Sequence, residues 1–167
     1  MVQTLISVGE YLSRTYHPDM AYVDGQLEER NLGEKEHGKL QARVFILLKR
    51  TLRIFPFIET RLRVSPTRYR VPDVCVYEKE PDESVFTQPP LLCVEILSPE
   101  DRMSRISRVV DDYIAMGVRT VWILDPLEKK SYLADAASGL REVSGNLAVT
   151  DSVALTTEEI FSQEELF

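Results

Sequence analysis

Residues 69–77 read YRVPDVCVY, an apolar β-type run that is interrupted in its interior by Pro72 and Asp73. Proline cannot donate to a strand ladder and aspartate is depleted from sheets, so the run is either an edge strand or a functional site. The next apolar run, LLCVEILS at residues 91–98, repeats the anomaly with Glu95. An unpaired carboxylate in a buried strand is costly unless a cation or hydrogen-bond donors meet it. Asp73 and Glu95 are therefore the first candidate site residues.

A helix and another strand follow the second run. Residues 98–117, SPEDRMSRISRVVDDYIAMG, place apolar residues on one helical face, with Ser98 or Asp101 as the N-cap and Gly117 as the C-terminal cap. Residues 118–125, VRTVWILD, then read as a buried strand. Strand, helix and strand in this order predict a crossover between parallel strands. The fold class is therefore α/β.

Two elements are predicted upstream of YRVPDVCVY. MAYVDGQLEER, residues 20–30, has the Asp-Gly signal of a β-hairpin turn between two short strands. Residues 34–53 have apolar residues at helical spacing and predict one long amphipathic helix. Its apolar face would consist of Leu40, Val44, Leu47, Leu48 and Leu52.

The remaining segments predict further strands. FIETRLRV, residues 57–64, alternates as a half-exposed strand does, and the SPTR turn would make it antiparallel to YRVPDVCVY. After residue 125 the chain predicts a closing hairpin and a short capped helix. With 167 residues, 44% hydrophobic and 28% charged, residues 1–167 are expected to form one domain.

Composition also limits the function classes. No apolar stretch approaches the roughly 18 to 20 residues of a membrane span, and the N-terminus lacks a signal-peptide pattern, so we expect a cytoplasmic protein without a membrane partner. The net charge of -7 argues against nonspecific nucleic-acid binding by the whole surface. Between residues 43 and 70, however, eight basic residues stand against the single acid Glu59. One basic face could contact DNA through Arg61, Arg63, Arg68 and Arg70.

Alternation along the strands predicts how the two acids are oriented. Asp73 shares a strand face with Cys75, and Glu95 shares one with Cys93. On neighbouring strands the two carboxylates would converge and repel each other, which raises one pKa unless a divalent cation neutralises them. Oxygen ligands of this kind suit Mg²⁺ or Mn²⁺. The alternative is that each acid forms a structural ion pair with an arginine.

The ordered motifs RVPDVCVY, VEILSPEDR, DDYIAMGV and VWILDP, with YVDGQLEERNLGEKEHGKLQ upstream, resemble the bacterial putative-restriction-endonuclease family of the PD-(D/E)xK nuclease superfamily. The resemblance covers roughly residues 20 to 135. It implies a restriction-endonuclease-like core with a mixed central sheet flanked by helices, an N-terminal hairpin and C-terminal additions. It also implies a Mg²⁺ (or Mn²⁺) site and a homodimer.

Residue by residue, the resemblance assigns Asp73 to the PD aspartate and Glu95 to the first acid of the (D/E)xK element. Glu29 matches the glutamate that ends the hairpin, and His37 the histidine early in the first long helix. The resemblance thus implies Asp73, Glu95 and His37 as metal ligands. From sequence alone, His37 could equally be a solvated helix-terminal histidine, and Glu28 and Glu29 a charged hairpin edge.

The lysine of the family pattern is missing. Leu97 stands at the usual position, and Val109 at the position in the following helix where the resembling family often has its lysine. Arg108 adjoins Val109 and is the candidate catalytic cation, although Arg102, Arg105 and Arg108 could also form a solvated helix face. An arginine can stabilise phosphoryl charge but cannot act as a general base.

Three functions of different class therefore stand as hypotheses. The first is a Mg²⁺-dependent DNA endonuclease with Asp73 and Glu95 at its centre. The second is a catalytically impaired nuclease-fold module for binding or assembly, suggested by the missing lysine. The third is a thiol-based protein that uses Cys75 and Cys93, which lacks any CxxC spacing or activating helix terminus. For association, the strand pair formed by residues 57–64 and 69–77 could template a twofold dimer.

Overall fold

A computed structural model of the chain describes residues 4–30, 33–51 and 53–164. These parts of the chain form, in order, α1 (Val8–Leu12), β1 (Ala21–Val23), β2 (Gln26–Glu28), α2 (Lys35–Lys49), β3 (Phe55–Ile58), β4 (Leu62–Ser65), β5 (Arg68–Arg70), β6 (Val74–Tyr77), β7 (Leu92–Ile96), α3 (Met103–Met116), β8 (Thr120–Asp125), β9 (Lys130–Asp135), β10 (Gly139–Val143), β11 (Asn146–Thr150), β12 (Val153–Thr156) and α4 (Thr157–Phe161).

The central sheet has six strands in the order β10-β9-β8-β7-β6-β3. β7 and β8 are parallel and are joined through α3, whereas the other neighbours in this sheet are antiparallel. A four-stranded antiparallel sheet, β2-β1-β5-β4, contains the predicted N-terminal hairpin, and β11 pairs with β12. The predictions of an α/β fold with a mixed sheet, a crossover and an N-terminal hairpin are confirmed.

The stretch YRVPDVCVY is not one strand. β5 belongs to the four-stranded sheet and β6 to the six-stranded sheet, and the break between them contains Pro72 and Asp73. FIETRLRV is divided in the same way into β3 and β4, with Glu59 between them at a φ of 49°. The inner strands β4 and β5 pair with each other, and so do the outer strands β3 and β6. A proline cannot continue a ladder, so it marks the point where the chain changes sheets.

The first long helix is shorter than predicted. α2 ends at Lys49, and Arg53 has a φ of 74°, which is incompatible with a continued right-handed helix. Leu52, predicted on its apolar face, lies outside the described residues.

The second long helix begins later than predicted. The N-cap of α3 is Arg102 rather than Ser98 or Asp101, because the Asp101 carboxylate instead accepts a hydrogen bond from the Ser98 N–H in the preceding turn at 2.8 Å. Gly117 ends this helix in the left-handed conformation, as predicted.

The six-stranded sheet separates two apolar clusters. Val74, Val94 and Trp122 pack with α2 on one face, whereas Cys75, Cys93 and residues of α3 pack on the other. This alternation follows from the two-residue period of a strand. It places Glu95, which lies on β7 with Cys93, toward the α3 side. Among the described helices, none has both the length and the apolar character that a membrane crossing requires.

Candidate active site

Asp73 and Glu95 adjoin the same end of the β6–β7 ladder. The last pair of this ladder is Val74 with Val94, and Asp73 precedes Val74 while Glu95 follows Val94. Asp73 is 3% exposed and Glu95 is 8% exposed. The two buried carboxylates are near enough for the charge of Asp73 to raise the pKa of Glu95, and their convergence on one sheet face stays a prediction.

Both oxygens of Asp73 accept hydrogen bonds. Oδ1 accepts from Arg30 Nη2 at 2.7 Å and Oδ2 from the Ile96 N–H at 2.7 Å. The Leu97 N–H donates toward β8, so the Ile96 N–H faces the β6 side of the sheet, where that strand has not yet begun. The Asp73 side chain therefore takes the place of a ladder carbonyl. This explains why an aspartate follows the proline in the opening stretch.

Glu95 is held by the second long helix. The Tyr113 hydroxyl donates to Glu95 Oε1 at 2.5 Å, and both side chains are buried. Burial raises the pKa of Glu95 to about 7 and the facing Asp73 charge adds to this rise, while the Tyr113 hydrogen bond and the charges of Arg30 and Arg105 oppose it. Glu95 thus carries a carboxyl group that can gain or lose a proton near neutral pH.

A second layer surrounds Asp73, and sequence reasoning missed its members. The Arg30 side chain is 13% exposed, and its Nη1 lies 3.7 Å from Glu59 Oε2. Gln41 Nε2 donates to Glu59 Oε1 at 3.3 Å and to the Asp73 carbonyl at 3.0 Å. The one signal in the sequence was Glu59, the single acid within a basic stretch.

His37 is part of the same cluster. It is 8% exposed, and its Nε2 lies 3.4 Å from Asp73 Oδ2, so the alternative of a solvated histidine is wrong. Burial lowers the pKa of His37, but the hydrogen bond and negative charge of Asp73 outweigh burial and raise the pKa above its ordinary value. His37 therefore adds positive charge beside Asp73 when it is protonated.

Gly33 leaves room for the His37 ring. A Cβ at position 33 would lie 2.7 Å from His37 Nδ1, whereas a Cβ at Gly38 would meet no atom within 4 Å. We expect Gly33→Ala to push the ring away from Asp73 and to lower the pKa of His37, which NMR titration of the imidazole protons would measure. The chain has two histidines, so a His17→Gln variant assigns the signals. Gly38→Ala is the matched control, and equal His37 titration in both alanine variants would contradict the prediction.

Two predicted site residues lie apart from this cluster. Glu29 is exposed, while its neighbour Glu28 forms an ion pair with Arg70 at 2.6 Å. The Arg108 side chain is 67% exposed and lies 4.0 Å from Glu28 Oε1. Within the described parts of the chain, no hydrogen bond or ion pair joins Glu29 or Arg108 to the two central acids, so their catalytic roles stay predictions. Arg105 is the α3 arginine whose charge acts on Glu95.

Three of the four predicted DNA-binding arginines form ion pairs within the protein. Arg61 binds both carboxylate oxygens of Asp19 at 2.8 and 2.7 Å. The other two have several acidic partners: Arg68 binds Asp24 and Asp112, and Arg70 binds Asp112 and Glu28. The side chain of Arg63 is exposed. An arginine held in this way is less free to contact a phosphate, so Arg63 is the member of the set best placed to do so.

The two cysteines are directly opposite each other on β6 and β7 and are buried. Burial raises the pKa of Cys75 to about 12 and also raises the pKa of Cys93. A thiolate, not a thiol, is the reactive form. These environments therefore favour core packing over the thiol chemistry that stood as the third hypothesis.

The carboxylates of Asp73 and Glu95 have the chemistry of a two-carboxylate metal site. Among the residues that the structure describes, no three or more His, Cys, Asp or Glu side chains form a group that could hold a metal. The set of Asp73, Glu95 and His37 is thus not a ligand cluster here, since His37 points at Asp73 itself. Mg²⁺, however, is usually bound by one or two carboxylates together with water and substrate phosphates. Asp73 and Glu95 provide two carboxylates whose mutual repulsion a cation would relieve.

Two comparisons with known proteins cover most of the chain. A family model described as "Putative restriction endonuclease", Uma2, matches residues 9–158. The chain belongs to the Uma2 family. This Uma2 protein is also similar to the crystal structure of a putative nuclease belonging to DUF820 from Anabaena variabilis, with a TM-score of 0.82 and 18% identity over 94% of this chain and 98% of that one. At that identity the likeness shows a shared fold. No curated protein matches the chain.

Proposed function

We propose that this Uma2-family protein is a Mg²⁺-dependent (or Mn²⁺-dependent) endonuclease that hydrolyses phosphodiester bonds in DNA. The observation that carries the proposal is the pair of buried, interacting carboxylates Asp73 and Glu95, contributed by separate segments in a chain of a restriction-endonuclease family. Two such acids next to each other are unfavourable for stability, which is typical of functional sites.

The residues of the site have distinct roles in this proposal. Asp73 and Glu95 would hold the cation, which when bound supplies an activated water and offsets charge on the phosphoryl group. The Ile96 N–H fixes the Asp73 carboxylate, and the Tyr113 hydroxyl fixes that of Glu95. Arg30 provides a permanent positive charge beside the pair.

The DNA contact in this proposal is local. The net charge of -7 opposes binding by the surface as a whole, so phosphate contacts would come from exposed cations such as Arg63. The DNA affinity would then fall only gradually with rising salt concentration, because few phosphate contacts are made.

Cleavage of supercoiled plasmid tests the proposal. Purified protein is expected to nick the plasmid with Mg²⁺ or Mn²⁺ and not with EDTA. Glu95→Gln keeps an acceptor for the Tyr113 hydroxyl but removes the charge, and we expect it to reduce the nicking rate by about 100-fold or more. Asp73→Asn is expected to act in the same direction.

Glu142→Gln is the matched control, because it makes the same change at an exposed position of β10. Its nicking rate should equal that of the unchanged protein. Nicking that survives Asp73→Asn and Glu95→Gln, purified in parallel, would contradict the proposal.

One observation favours the second hypothesis, a nuclease-fold protein that binds or assembles without cleaving. Arg30 already neutralises Asp73 at 2.7 Å, and Leu97 and Val109 stand where the family pattern has lysine. DNA binding without nicking, together with no calorimetric signal for Mn²⁺, would support this alternative over the endonuclease.

A further inference from the structure

Arg30 contacts the Asp73 carboxylate directly. Its Nη2 lies 2.7 Å from Asp73 Oδ1, while Oδ2 accepts from the Ile96 N–H and faces His37. Arg30 belongs to the segment after β2, and its guanidinium is largely withdrawn from solvent. Arg30 is therefore a permanently charged counter-ion of Asp73.

A divalent cation and this guanidinium cannot both remain on Asp73 Oδ1 without strong repulsion. A cation held by Asp73 would lie near the guanidinium, and like charges that are close together repel strongly in a site from which most water is excluded. Binding of a cation therefore requires the guanidinium to move away. An arginine keeps its charge throughout, so it needs another acid to move to.

Glu59 is placed to be that acid. Its Oε2 lies 3.7 Å from Arg30 Nη1, close enough for attraction but too long for a good hydrogen bond. The Glu59 side chain is 47% exposed, so it has freedom to adjust, and its backbone N–H donates to the Asp73 carbonyl at 3.3 Å. A small movement of Arg30 toward Glu59 would shorten one ion pair while it breaks the other.

We propose that Arg30 is an internal counter-ion that competes with a divalent cation for Asp73 and withdraws to Glu59 when the cation binds. This inference rests on the metal site of the proposed function. It adds a residue pair that sets the affinity of that site, and it makes Glu59 a positioning residue that acts through Arg30.

Calorimetric titration of the purified full chain with Mn²⁺ tests the inference. We expect Arg30→Gln to tighten Mn²⁺ binding by about tenfold or more, because the competing charge is gone. Glu59→Gln is expected to weaken binding several-fold, because Arg30 then has no other acid to move to. Arg141→Gln and Glu142→Gln make the same charge changes at the β9–β10 edge and should leave the affinity within about twofold.

The double variant separates this mechanism from a general electrostatic effect. If Glu59 acts through Arg30, Glu59→Gln should change the affinity less in the Arg30→Gln background than in the unchanged protein. Equal effects in both backgrounds would overturn the role of Glu59. If Arg30→Gln fails to fold, the Mn²⁺ affinity of Glu59→Gln still tests the inference. An affinity of Glu59→Gln equal to that of Glu142→Gln overturns it.

The outcomes distinguish this inference from the proposed function. If the unchanged protein binds Mn²⁺ and Arg30→Gln binds it with equal or weaker affinity, the competition is overturned and the metal site stays in place. Binding by Arg30→Gln alone supports the competition and counts against a metal-dependent enzyme. Absence of binding in every variant overturns both.

Discussion

Replacing Glu95 by glutamine is expected to stabilise the metal-free protein by about 3 kcal/mol at pH 8. The reason is the pKa of Glu95, which burial and the facing Asp73 raise from 4.5 to about 7. Above pH 7 the folded protein must keep a charged carboxylate in a buried site. Glutamine has nearly the same shape, can still accept the Tyr113 hydrogen bond and carries no charge.

The pH dependence has a definite sign. Because the folded pKa lies above the unfolded one, the folded state binds more protons between about pH 4.5 and 7. The contribution of Glu95 to stability therefore falls as the pH rises through this window. The stability difference between Glu95→Gln and the unchanged protein should be small at pH 4.5 and should reach its full value above pH 7, while contributions from other groups cancel.

Urea unfolding in EDTA at a series of pH values measures this difference. Glu142→Gln should show a difference of about 0.5 kcal/mol or less at every pH, since its side chain is exposed. A Glu95→Gln difference that does not change between pH 4.5 and 8 would show that Glu95 has an ordinary pKa. The same substitution is expected to reduce the nicking rate by about 100-fold or more, so stability and activity would change in opposite directions.

Asp112→Ala is expected to destabilise the protein by about 3 to 5 kcal/mol, the range for breaking a buried ion pair. Asp112 Oδ2 accepts from Arg70 Nε at 2.8 Å, and Oδ1 accepts from Arg68 Nη1 at 2.8 Å. Arg70 is 3% exposed, so the alanine variant leaves a buried guanidinium with Glu28 as its acidic partner. These ion pairs join the four-stranded sheet to α3.

The adjacent Asp111 offers a matched control. It is exposed on the same helix, so Asp111→Ala should change the free energy of unfolding by about 0.5 kcal/mol or less. Urea unfolding at pH 7 compares the two variants with the unchanged protein. A cost below about 1 kcal/mol for Asp112→Ala would mean that solvent replaces the lost carboxylate and that the network is not tightly buried.

The sequence was sufficient to predict that the two acids meet. Each acid stands near the end of an apolar run that predicts a strand, and the antiparallel pairing of β6 with β7 brings those two ends together. The crossover through α3 and the N-terminal hairpin followed from equally local patterns.

The partners of the acids could not be predicted in the same way. Arg30 lies 43 positions before Asp73, and no local period relates them. The division of YRVPDVCVY between two sheets likewise depends on which distant strands pair with each half. Nothing in the sequence indicated that Arg61 and Arg70 form ion pairs, because their acidic partners, Asp19 and Asp112, come from remote segments.

The hydrogen bond from the Ile96 N–H to Asp73 has a consequence for how this chain would evolve. Asp73 completes the end of the β6–β7 ladder and neutralises a buried arginine, so a descendant that lost its chemistry would still need the aspartate to fold. Glu95 has the opposite effect on stability, because its charge destabilises the folded state. Mutational drift in an inactive lineage should therefore remove the glutamate first, and retention of the aspartate alone would be a poor sign of an active enzyme. A deep mutational scan selected for abundance alone would check this, with Glu95→Gln enriched and Asp73 substitutions depleted.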